Sequence, residues 1–145
     1  MPLWIGGSSD AAIRRTARFG TGWQAAFEGP EEIQVIIEAI KLALVKEGRQ
    51  IADDHYGASF AYRFGSWRDS SVVRASKFYR ERLGRDPQTT FVVGDGSDVL
   101  ARIAEYVKVG ISKFILRPIG ADDEDILNQT QFLIEQILPE VRELN

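Results

Sequence analysis

Four short apolar runs, each followed by a stretch with helical spacing, constrain this chain more than any single residue does. Leu3-Trp4-Ile5 ends at Gly6-Gly7, and Ser8-Ser9-Asp10 supplies cap chemistry for a helix reaching about Arg18 or Phe19. Gly20-Thr21-Gly22 breaks that helix, and Trp23 to Phe27 reads as a second strand. Glu28-Gly29-Pro30 is the next break, with Pro30 suited to open a helix and Glu31 and Glu32 favouring its positive end. Ile33, Ile36, Ile37, Ile40 and Leu44 follow helical spacing as far as Gly48.

Ala58 to Phe64 alternates Ala58, Phe60, Tyr62 and Phe64 against Ser59, Ala61 and Arg63, which predicts a strand with aromatics on one face. Ser71 to Leu83 has helical spacing and stops near Gly84. Phe91-Val92-Val93 is a brief extended segment, and Ser97 is the expected cap of a helix carrying Val99, Leu100, Ile103, Ala104 and Val107. Lys113 to Arg117 predicts the fourth strand, ended by Pro118. A last helix starts near Asp122 and carries Ile126, Leu127, Leu133, Ile134, Ile137 and Leu138, with Pro139 able to kink its tail.

Strands at about 3–5, 23–27, 58–64 and 113–117 make a βα unit repeated four times. Such units imply parallel strands with right-handed crossovers and covering helices. Two solutions compete on pattern alone: a doubly wound open sheet, or part of a (β/α)8 barrel.

Composition narrows the function. The 145 residues hold 18 Lys plus Arg against 21 Asp plus Glu, a net charge of −3 with the signs interspersed, which argues against a nucleic-acid partner. There are no cysteines, which excludes disulfides, thiolate metal sites and a Cys nucleophile, and the single histidine, His55, rules out a multi-His metal site within one chain. No apolar run approaches the roughly 20 residues of a membrane-spanning helix, and no signal-peptide pattern opens the chain. A soluble cytoplasmic protein of one domain is the default expectation.

Gly6-Gly7-Ser8-Ser9 lies between a strand and a helix. It has two readings: backbone N–H groups that hold a phosphate, or a tight turn with Ser or Asp as helix cap. Asp10 competes for the same amides. The residues around it carry a family resemblance. Pro2 to Ala12 and then Gly20-Thr21-Gly22-Trp23, Val92-Val93-Gly94-Asp95-Gly96-Ser97-Asp98-Val99-Leu100-Ala101-Arg102-Ile103, and Glu105-Tyr106-Val107 through Gly110 to Pro118 together resemble, in order, segments of luciferase-like flavin- and F420-dependent oxidoreductases. The stretch from Glu28 to Thr90 matches only in its α/β rhythm.

The resemblance implies a (βα)4 half of a TIM (β/α)8 barrel, strands five to eight, with the chain opening abruptly at the junction between halves. It also implies that Gly6, Gly7, Ser8 and Ser9 approach the phosphate of FMN or coenzyme F420, with a small molecule as substrate. A half barrel exposes two sheet edges and an apolar inner face, so the expected partner is a second copy or a missing N-terminal half. The alternative function is a non-catalytic module, or a truncated relic, that binds a phosphorylated ligand or self-associates.

In such barrels active-site groups gather at the C-terminal ends of strands, here Gly6-Gly7, Ala26-Phe27, Phe64 to Trp67 and Arg117 to Ile119. Arg117 there meets either a phosphate or anionic substrate, or a neighbouring acid. Trp67 and Phe64 either wall a ligand or belong to the core. His55 precedes its strand and so reads as part of a structural loop, Trp4 and Trp23 read as packed, and Arg14, Arg15 and Arg18 form a solvated face. The sequence assigns no catalytic residue: it offers no Ser–His constellation, no paired carboxylates on one face and no complete P-loop.

Overall fold

Ser9 and Gly20 bracket the first helix, α1 (Asp10–Phe19). The Ser9 hydroxyl accepts from the Ala12 N–H at 3.3 Å, and the Gly20 N–H returns to the Thr16 carbonyl at 2.9 Å. The computed structural model describes residues 1–142, and its contacts divide the chain into two units. One comprises residues 1–59 and 105–115; the other comprises residues 60–104 and resumes at Leu116.

In the first unit β1 (Trp4–Gly6) pairs in parallel with β2 (Gly22–Gln24), placing Trp4 beside Gly22 and Gly6 beside Gln24. The start of β3 (Tyr56–Phe64) continues the sheet, with Trp23 beside Tyr56. Successive residues of a strand turn their backbone groups to opposite edges, so the Ser112 N–H on the Tyr56 carbonyl, at 2.9 Å, brings the approach to β5 (Lys113–Pro118) to the far edge of β3. Strand order in this unit is therefore β1-β2-β3-β5. It runs without the reversal that marks a doubly wound sheet.

Helix α2 (Pro30–Lys46) opens at Pro30 as expected, with Glu32 accepting from the Gly29 N–H at 2.9 Å. It buries the five residues its spacing singles out: Ile33, Ile36, Ile37, Ile40 and Leu44. They join Trp23, Tyr56, Ala58, Tyr106 and Ile111 in the core of this unit. The second strand is shorter than expected, because after the Ala25 N–H, which donates to the Gly57 carbonyl at 2.8 Å, the backbone leaves the ladder for side chains: Glu28 takes the Ala26 and Phe27 N–H groups, and Ser59 Oγ donates to the Ala26 carbonyl at 3.1 Å.

The Trp4 ring lies over Gly22 and Gly57, and the Gln24 side chain covers Gly57 as well. A Cβ at Gly22 would stand 2.6 Å from Trp4 Cε2, so glycine is what lets the indole lie against the strand.

In the second unit the remainder of β3 pairs with β4 (Phe91–Gly94), from Ala61 beside Phe91 to Phe64 beside Gly94. The expected four strands are thus one too few, since the brief extended segment is a fifth parallel strand. From Tyr56 to Tyr62 every residue of β3 is buried, the pattern of an interior parallel strand and not of the half-buried alternation its sequence suggests. Helix α3 (Ser70–Leu83) ends at Gly84 as expected. A 3-10 turn, Pro87–Thr89, precedes β4.

Helix α4 (Gly96–Lys108) starts one residue before the expected cap Ser97. Asp95 caps it instead: Oδ1 accepts from the Ser97 N–H at 2.8 Å, and Asp98 accepts from the Asp95 N–H at 2.9 Å. Asp122 caps α5 (Asp123–Gln136), close to the expected start. Of its apolar residues and those just beyond, only Ile137 is fully buried; Leu127, Ile134 and Leu138 are exposed. The chain breaks at Ile137 and resumes as α6 (Leu138–Arg142), with Pro139 in its first turn. No helix among the described residues is long and apolar enough to cross a membrane.

Candidate functional site

The C-terminal end of β1 turns into α1 through the residues singled out for phosphate. Gly7 has φ +100°, where an L side chain is strained, and a Cβ there would also press on Ala12 Cβ at 3.3 Å. The Trp23 indole N–H donates to the Gly7 carbonyl at 2.9 Å and fixes the turn. Gly6, Ser8 and Ser9 are exposed. The structure realises the cap reading in Ser9, whose hydroxyl oxygen serves Ala12, yet a capped helix start with an exposed glycine turn before it still suits an anion. The residues therefore fit a phosphate, with Asp10 in the first turn as the opposing charge.

Glu28 was not singled out by its sequence position, which marks only a break between strand and helix. It is 8% exposed, and its Oε2 accepts from the Ala26 N–H at 2.9 Å and the Phe27 N–H at 3.0 Å. Burial pushes its carboxyl up, but the Ser8 hydroxyl and those backbone N–H groups outweigh burial and hold it below the ordinary value. The carboxylate is ionised at neutral pH and faces the turn. The Ser8 hydroxyl lies close enough to lower the Glu28 pKa, so its proton is shared between that carboxylate and any ligand. Backbone N–H groups and the Ser9 hydroxyl are the other donors for an anion at this turn. The Tyr106 hydroxyl, donating to the Glu28 carbonyl at 3.1 Å, anchors the same residue from behind.

In the second unit Arg117 lies on the exposed side of β5, alternating with half-buried Leu116 and Pro118. The guanidinium that the fold buries is Arg63, near the C-terminal end of β3. Its Nε donates to Asp69 at 2.7 Å, and its Nη1 donates to Asp125 and to the Ile119 carbonyl, each at 2.8 Å. Burial disfavours the Arg63 charge, but the two carboxylates more than offset this and raise its pKa further. In return Arg63 holds Asp69 low, and the Ala121 N–H followed by Arg63 does the same to Asp125. Gln129 completes the brace, its amide accepting from the Phe64 N–H at 2.7 Å and donating to the Phe64 carbonyl at 3.2 Å, as a neighbouring strand would. With every Arg63 partner internal, this cluster ties α5 to the strand end and serves structure.

Phe64 packs on Tyr62 and Phe132, with centroids 5.7 and 6.0 Å apart, and Trp67 is partly exposed. His55 precedes β3, with Nδ1 2.8 Å from the Thr21 carbonyl and its ring against Trp4. Trp23 is fully buried. Among the described residues no group of three or more His, Cys, Asp or Glu side chains is placed to hold a metal ion.

No family model matches the chain, and no curated protein matches it either. Solved structures do. An F420-dependent secondary alcohol dehydrogenase in complex with an F420-acetone adduct aligns with 94% of this chain and 48% of its own, at TM-score 0.74 and 14% identity. The oxygenating constituent of 3,6-diketocamphane monooxygenase from Pseudomonas putida, in complex with FMN, aligns with 95% of this chain and 48% of its own, at TM-score 0.69 and 11% identity. An EDTA monooxygenase from Chelativorans aligns with 97% and 44%, at TM-score 0.67 and 14% identity. The chain thus spans about half the length of the structures it resembles, and shares with that portion its α/β fold and parallel sheet.

Proposed function

We propose that this chain carries the cofactor-phosphate end of a flavin- or F420-dependent oxidoreductase site of the luciferase-like kind, at Gly6, Gly7, Ser8 and Ser9. The observation that supports it most is the Gly7 turn: a left-handed glycine opening α1, on a fold shared with FMN- and F420-dependent enzymes. The cofactor supplies the redox chemistry when bound. This chain's residues bind and orient. Backbone N–H groups at the start of α1 and the Ser9 hydroxyl take the phosphate, and Arg117 is the candidate for a phosphate or an anionic substrate. In this reading β1, β2, β3 and β5 are strands five to eight of the barrel and β4 is an additional strand, and a second copy or an N-terminal half supplies the remaining walls of the site.

Exposed Leu3 on the approach to β1 and exposed Ile115 on β5 favour a second reading, a non-catalytic half-barrel module that binds a phosphorylated ligand or self-associates. Titrating FMN and F420 against the chain by fluorescence, with its mass measured in parallel, separates the readings. Saturable binding is expected, weakened at least tenfold in Gly7→Asp and also in Ser9→Asp, which keeps a competent helix cap while adding a negative charge. Binding without turnover in any assembly favours the module. A chain that binds neither cofactor overturns the oxidoreductase reading.

A further inference from the structure

In the second unit a groove of about 410 Å³ opens between the first turns of α3 and the turn that leads from β5 into α5. That volume falls in the range of small-molecule pockets. From α3 it is lined by Ser71, Arg74, Ala75 and Phe78. Their spacing, i, i+3, i+4 and i+7, puts the four side chains on one face of the helix, so Ser71 points the same way as the three beyond it. Pro118 and Ile126 stand on the other side.

Two polar groups on this otherwise apolar wall have nothing to bind. Ser71 is 4% exposed, and among the described residues its hydroxyl makes no hydrogen bond. Nor is that hydroxyl shut away: the sealed hydroxyls without a partner are those of Tyr56 and Ser76. It therefore opens onto the groove its helix face lines. The Arg74 guanidinium likewise forms no ion pair or hydrogen bond among the described residues. The carboxylates on either side are committed elsewhere. Asp69, just before α3, accepts from Arg63 and from the Ser66 N–H, and Asp125 accepts from Arg63 and the Ala121 N–H. With Asp69 so engaged, the first turn of α3 has no side-chain cap, and the positive end of the helix stands beside Ser71. No acidic residue among those described lines the groove.

These groups define the ligand they would satisfy. One unpaired guanidinium and one free hydroxyl suit a single negative charge, and the guanidinium fork matches a carboxylate. The Phe78 ring, with Ala75 and Ile126, suits an apolar aromatic body. We infer that this groove binds an aromatic monocarboxylate, its carboxylate accepting from Arg74 and the Ser71 hydroxyl and its ring system lying against Ala75, Phe78 and Ile126. The site is independent of the cofactor reading and involves none of its residues.

The probe is 2-naphthoate, followed by amide chemical shifts and calorimetry on the full chain. Saturable shifts are expected in the segments 71–78 and 118–126 and not elsewhere. Arg74→Met, which keeps an apolar stem and removes the charge, should weaken binding at least tenfold. Ser71→Ala should weaken it about tenfold, the loss of one hydrogen bond to a charged acceptor, with a melting temperature unchanged or raised, since alanine is the better helix former. The uncharged 2-naphthamide should bind poorly to the natural chain. Equal naphthoate affinity in the natural chain and either variant, naphthamide binding as tightly as naphthoate, or no saturable shift in these segments would each overturn the inference. A lower melting temperature in Ser71→Ala would count equally against it, because the hydroxyl would then already be satisfied within the fold.

Discussion

Gly22→Ala tests how the first unit covers its sheet. A methyl group at residue 22 would stand 2.6 Å from Trp4 Cε2, 2.7 Å from Trp4 Cδ2 and 3.0 Å from the His55 carbonyl oxygen. Carbon atoms pack best at about 3.5–4.0 Å, so the indole must withdraw by about 1 Å or the strand must shift. Overpacking costs about 1–3 kcal/mol, and the upper part of that range applies where the obstacle is a rigid ring on one side and backbone on the other. Loss of glycine's freedom in the unfolded chain offsets about 0.4–1 kcal/mol of this. A net loss of about 2 kcal/mol remains, or a melting temperature lower by about 4–8 °C for a chain of this size. Thermal and urea unfolding would measure it, and Trp4→Ala provides the control. With the ring gone the methyl has room, so the double variant should be more stable than the two single losses add up to. A Gly22→Ala chain melting within about 1 °C of the natural one, or a penalty unchanged by Trp4→Ala, would refute the packing argument.

Three further outcomes follow from the polar contacts. Asp69 and Asp125 are held below the ordinary carboxylate value in the folded chain, so their contribution to stability is present above that value and is lost as pH falls through the folded one. The urea midpoint should accordingly drop on acidification below about pH 4, and drop less steeply in Arg63→Met, where part of the contribution is already gone. Asp95→Ala should cost about 1 kcal/mol by removing the cap of α4, and Ser97→Ala clearly less; equal losses in chemical denaturation would return the cap to Ser97. Gln129→Ala leaves the Phe64 N–H and carbonyl without their partner and should cost about 1–3 kcal/mol, with faster hydrogen exchange at Phe64 as the local readout.

Helix limits were legible because their signals are local. Ser9, Pro30, Gly84 and Asp122 act on backbone groups within a turn of themselves, and each stands where its chemistry implies. Strand limits were not, because a ladder is decided by a partner distant in sequence. Tyr56 and Gly57 belong to β3 because Trp23 and Gln24 lie beside them, and Phe91 to Gly94 form a strand because Ala61 to Phe64 do. The sequence marks Phe91 to Val93 as extended without showing that they pair, and leaves Tyr56 and Gly57 unmarked. Burial was misread where polar contacts fix an element: α5 carries seven apolar residues on or beside it, most of them exposed, and it is seated in large part by Gln129 on the Phe64 backbone and Asp125 on Arg63.

The candidate site shows the same division. The glycine turn was visible because strand, glycine pair and cap residues are contiguous, whereas Glu28 was hidden, being some twenty residues away from Ser8 and flanked by turn chemistry that explains it cheaply. Its effect is nonetheless the larger for the ligand. A turn with both serine hydroxyls free would hold a phosphate through side chains; a Ser8 proton given to Glu28, whose pKa Ser8 lowers, leaves anion binding to the backbone and to Ser9. If that division is right, Ser8→Ala should cost little phosphate affinity while moving the Glu28 carboxyl upward toward its ordinary value. Carboxyl-carbon NMR titration of the natural chain and Ser8→Ala would show that movement, and a Glu28 midpoint unchanged by the substitution would put Ser8 back among the phosphate donors.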